Sequence, residues 1–81
     1  MSAKWAKRIE INPQILVGKP VIKGTRISVE LILEELAQGA THEQLITEYD
    51  LVEEDIQAAL LYARDSVAGE QVFEDTVAAE K

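Results

Sequence analysis

A chain of 81 residues makes one small domain, and at this size only about 60–65% of the unfolded surface is buried, so its stability margin is thin. An apolar fraction of 47% is too high for a disordered chain, and the absence of cysteine excludes disulfides, thiolate metal sites and thiol catalysis. The net charge of −7 is unevenly held: residues 1–26 carry six Lys/Arg and one acid, Glu10, whereas residues 27–81 carry two Lys/Arg and fourteen acids.

Trp5 to Asn12 alternates, with Trp5, Lys7, Ile9 and Ile11 on one face, which is the period of a half-buried strand. Pro13 stops it, because proline cannot donate to a ladder. Ile15, Leu16 and Val17 form a short apolar run, and Gly18, Lys19 and Pro20 a turn. Val21 and Ile22 read as a second short strand. Gly24 is the natural residue for a positive φ in the turn that follows. Ser28 is a helix N-cap, after which Val29, Ile32, Leu33 and Leu36 recur at helical spacing until Gly39 ends the helix. Thr41 and Gln44 fit a capping box for a second helix, lined by Leu45, Ile46 and Tyr49.

A third helix starts near Glu53, where Glu53, Glu54 and Asp55 suit the positive end of the helix dipole. Its inner stripe is Ile56, Ala59, Leu60, Ala63 and Val67, and Ala58, Leu61 and Tyr62 widen it beyond the usual width. Gly69 interrupts, and Val72, Phe73, Thr76 and Val77 suit a last weak helix or tail. The expected class is α+β, mainly α. A β-hairpin region over 1–27 precedes a helix-turn-helix-like bundle of three to four helices over 28–68, with a tail or short helix over 69–81, all in a single domain.

The motifs of catalysis are missing. A phosphate loop places four residues between its glycines and then a lysine; here five separate Gly18 from Gly24, and Thr25 follows directly. His42 is the sole histidine, without the partners that zinc or nucleophilic catalysis needs, and is expected to be exposed and inert. Glu53, Glu54 and Asp55 are neighbours on a helix and cannot converge on a metal alone. No serine elbow is present. The expectation is a non-enzyme without catalytic residue, metal, cofactor or small-molecule substrate. The longest apolar run, AALLYA at 58–63, is far short of a membrane span. No apolar segment follows the basic N-terminus as a signal peptide requires. A cytoplasmic protein without a membrane partner is expected.

The stretch GKPVIKGTRISV at 18–29, with Gly39, Tyr49 and the Asp55-Ile56, Ala59-Leu60 and Tyr62-Ala63 pairs, resembles the bacterial and archaeal domain of unknown function family 433 over roughly residues 9–65. The resemblance implies a small winged or homeodomain-like helical fold. Members are commonly regarded as antitoxins paired with nuclease-like toxins of the PIN type, and such antitoxins often bind their own promoter. The family usually caps its third helix with Ser or Thr, where this chain has Val52. Three acids at that helix start would repel phosphates.

Two surfaces follow as candidates. Lys19, Lys23 and Arg26 either contact phosphates of operator DNA or point to water and pair with acids, Arg26 with Glu30 or Glu34. Gly18, Pro20, Gly24 and Gly39 shape turns. Ala58, Leu61 and Tyr62 either lie centrally or form the seam of a homodimer. Val72, Phe73 and Val77 either order on a partner such as a toxin with a basic face or fold back onto the core.

Overall fold

The structure is a computed structural model that describes residues 4–78, with side chains to residue 69. A two-residue strand, β1 (Ile9–Glu10), a single 3-10 turn at Leu16–Gly18 and a second strand, β2 (Val21–Ile22), precede three helices, α1 (Val29–Ala37), α2 (His42–Tyr49) and α3 (Glu53–Ala78). The strands pair antiparallel, Ile9 with Ile22 and Glu10 with Val21. The architecture is therefore the expected one, a small hairpin followed by a mainly helical body.

The first strand is far shorter than its alternation predicts. The Trp5 carbonyl accepts from the amides of Arg8 and Ile9, which turns residues 5–8 back on themselves. Trp5 is anchored on α3 instead, its indole N–H donating to Asp65 Oδ2 at 2.8 Å and its ring meeting Tyr62 edge-on at 4.8 Å. Beyond the strand, Ile11 is 55% exposed. The apolar run at 15–17 is not a buried segment either. Leu16 (φ 49°) and Val17 (φ 50°) both take left-handed backbone, and Val17 is 88% exposed. A β-branched residue there is rare and strained.

The helix ends obey the capping chemistry in the sequence. Ser28 Oγ accepts from Leu31 N–H at the start of α1. At its end, Gly39 (φ +103°) lets the Gly39 amide reach Leu36 O and the Ala40 amide reach Glu35 O, the paired bonds of a Schellman motif. The α2 capping box is complete: Gln44 N–H donates to Thr41 Oγ1, and Thr41 N–H donates to Gln44 Oε1. Asp50, Leu51 and Val52 turn the chain into α3.

Ile9 and Ile22 from the hairpin, Val29 and Ile32 from α1, Leu45 from α2, and Ile56, Ala58 and Ala59 from α3 make the core, with Leu51 from the connecting turn. Two expectations fail along α3. The helix runs through Gly69 without a break. The inner stripe also ends early: Ile56 and Ala59 are buried, but Leu60 is 40% and Val67 58% exposed.

Candidate functional site

Of the three cations assigned to one phosphate-facing stretch, Lys19 is separated from the other two. Its ammonium pairs with Glu30 Oε1 at 3.0 Å, so Lys19, and not Arg26, holds that acid. Both groups are exposed, and such pairs contribute little to stability. Lys23 and Arg26 are exposed and, among the described residues, neither forms an ion pair with a carboxylate.

The hairpin register gathers a different set. Ile9 faces Ile22, and the Lys23 amide donates to Arg8 O at 2.8 Å. Arg8 and Lys23 are thus cross-strand neighbours, and with Lys7 they line a cavity of about 350 Å³ whose remaining wall is Asp55. Arg8 also borders a second cavity, of about 230 Å³, with Lys4, Glu54 and Leu61.

Asp55 is buried, not part of a solvated acidic helix start. Its Oδ1 accepts from Arg8 Nη1 at 2.9 Å and its Oδ2 from the Val52 amide at 3.1 Å. The second bond is the returning half of a capping box, while the half that a Ser or Thr side chain would make is absent at Val52. The spacing from Val52 to an acid three residues on carried that signal. The partnership with Arg8 across the fold did not show in the sequence. Glu53 is engaged too, 2.9 Å from His42 Nδ1, so His42 is half-exposed and tied to α3 instead of free. Two of the three acids that would have repelled phosphates are thereby held by internal partners.

Ala58, read as part of a seam, is 3% exposed and belongs to the core, which removes it from any surface a partner could reach. Leu61 and Tyr62 are half-buried, Tyr62 under Trp5. Among the described side chains of this helix, Leu60 and Val67 are the exposed large apolar ones. An apolar groove of about 610 Å³ runs between the hairpin, α1 and α3, floored by Val29, Leu33, Tyr62 and Ala63, ended by Val67 and edged by Glu34. Val72, Phe73 and Val77 lie on α3, and their side chains fall outside the described residues.

Two groups titrate away from their ordinary ranges. The Tyr49 hydroxyl donates to Glu35 Oε2 at 2.7 Å, and this bond to a carboxylate, with partial desolvation, pushes its pKa up to about 12. The Trp5 indole and then the Arg64 guanidinium hold the Asp65 carboxyl below the usual carboxylate value. Among the described residues, no three His, Asp or Glu side chains are grouped as a metal site would need, and no helix is long and apolar enough to cross a membrane.

No curated protein matches the chain. Among solved structures it is similar to a "duf433 member protein" from Anabaena variabilis ATCC 29413, with 32% identity and a TM-score of 0.71 over 84% of this chain. The present chain spans 66% of that protein's length. Residues 9–63 match the family described as Protein of unknown function (DUF433), and they hold the hairpin, α1, α2 and the packed part of α3. That span is more than half of the chain, and the chain belongs to the DUF433 family.

Proposed function

We propose that this chain works by binding rather than catalysis, as the antitoxin-like half of a prokaryotic pair that neutralises a PIN-type nuclease by direct contact. The observation that carries this reading is the length of α3. The core is left behind near Asp65, yet the helix continues to Ala78, with Val67 exposed at the end of an apolar groove. An apolar face of this kind marks an interaction surface. Fourteen acids over residues 27–81 suit a partner whose RNA-binding face is basic. The test is co-expression with the product of the adjacent gene. A nuclease-like neighbour should co-purify and lose RNA cleavage, and Val67→Glu should weaken the complex. A neighbour that is not nuclease-like, or that does not bind, overturns the proposal. Light scattering on the same preparation decides whether the chain acts as a homodimer.

A second reading, a regulator that contacts the phosphates of its own operator, is favoured by one specific observation: Lys23 of the hairpin, exposed and without a carboxylate partner among the described residues, lies on the surface of an otherwise acidic protein. A gel shift with the DNA upstream of its gene tests it, and the absence of a shift at low salt removes it.

A further inference from the structure

We propose that Lys7, Arg8 and Lys23 form a phosphate-binding cleft for the backbone of a nucleic acid, with Asp55 as the positioning residue for Arg8. This rests on the nucleic-acid reading above and moves its site away from Lys19 and Arg26.

Three cations and one carboxylate line the same cavity of about 350 Å³ in a protein of net charge −7. Arg8 and Lys23 are cross-strand neighbours, and like charges in that relation repel. Asp55 cannot balance all three. One of its oxygens is taken by Arg8 and the other by the Val52 amide. Among the described residues, Lys7 and Lys23 have no carboxylate partner. Glu54 lines the adjoining cavity with Lys4 and Arg8, and Glu10 lies two residues from Arg8 on β1. What remains is a site with surplus positive charge and an arginine fixed at one end. Its other guanidinium N–H groups stay available, and the fork they form matches phosphate oxygens. Lys4 extends the row of cations past Arg8, so that a strand could follow it. Since such contacts do not depend on base sequence, any duplex serves as a probe.

The experiment measures fluorescence anisotropy of a labelled duplex of arbitrary sequence with the full chain over a series of salt concentrations. In parallel, inorganic phosphate is titrated while backbone amide NMR shifts are followed. Lys7→Ala and Lys23→Ala should each weaken binding several-fold and lower the salt slope by about one. Arg26→Ala should leave both unchanged. Phosphate should move the amides of Arg8 and Lys23. If Arg26→Ala weakens binding and Lys7→Ala and Lys23→Ala do not, the cleft is wrong and the nucleic-acid reading stands. An equal loss in all three variants means a diffuse surface and also overturns the cleft. If the duplex fails to bind while phosphate still shifts Arg8 and Lys23, the cleft takes free phosphate and the nucleic-acid reading falls. Silence in both arms removes both.

Discussion

Arg8 and Asp55 stand 47 residues apart in the chain and 2.9 Å apart in the fold, Nη1 to Oδ1. The pair ties the hairpin to the first turn of α3, and the same carboxylate caps that turn through the Val52 amide. Removing Asp55 strands two donors at once, one of them a backbone amide at a helix start. Asp55→Ala is expected to cost about 2 kcal/mol. Arg8→Ala should cost about 1 kcal/mol, because the guanidinium is nearly half exposed and screened. Urea unfolding at neutral pH measures both. An Asp55→Ala chain as stable as the parent would contradict this account of α3.

Tyr49 makes a prediction at the alkaline end. Its folded pKa of about 12 lies above the ordinary value of 10.0, because Glu35 accepts from the hydroxyl. The protonated phenol is favoured in the folded chain. Its contribution is therefore complete below pH 10 and is lost as pH rises from there towards 12. Ultraviolet titration should show one tyrosine ionising late, and Tyr49→Phe should remove that step. Late ionisation that persists in Tyr49→Phe would overturn the assignment to Tyr49.

At the acid end the sign is opposite. The Trp5 indole holds Asp65 ionised in the fold, so its contribution is present above the unfolded carboxylate pKa and disappears as pH falls through the lower, folded value. Trp5→Phe retains an aromatic ring against Tyr62 but lacks the donor. The Asp65 pKa measured by NMR should rise towards the ordinary value, and acid unfolding should begin at higher pH. An unchanged Asp65 titration would show that the indole bond does not govern it.

The α2 cap should behave as an independent element. Thr41→Ala removes the hydroxyl that accepts from Gln44 N–H and should destabilise by about 1 kcal/mol, whereas Thr41→Ser should be nearly neutral. Thermal unfolding of the two variants separates loss of the cap from loss of the methyl group.

Val17 carries strain without burial, at φ 50° with 88% of its surface exposed. Asparagine tolerates this backbone far better than a β-branched residue. Val17→Asn is expected to stabilise the chain by about 0.5–1 kcal/mol, read as a raised urea midpoint. A loss of stability would mean that the Val17 side chain makes contacts worth more than the strain it imposes.

The sequence by itself determined the features that depend on a few neighbouring residues. Ser28 as an N-cap, the Thr41–Gln44 box, Gly24 and Gly39 at positive φ, and the helical spacing of Val29 and Ile32 all follow from local hydrogen bonding and sterics. They needed no knowledge of the rest of the fold. Family membership was legible for a similar reason, since its motif is a continuous stretch of turn and cap residues. Only the tertiary structure decided which charges meet. Lys19 turned to Glu30, while antiparallel pairing of two-residue strands brought Lys23 beside Arg8, and helix packing brought Asp55 beneath them. Electrostatic partners are chosen by distance in space, which sequence separation does not encode. Packing likewise decided that Ala58 is core, that Trp5 closes on α3 instead of extending a strand, and that Leu60 and Val67 stay in contact with solvent. An apolar stripe shows what a helix could bury, and the lengths and positions of its neighbours limit what it does bury.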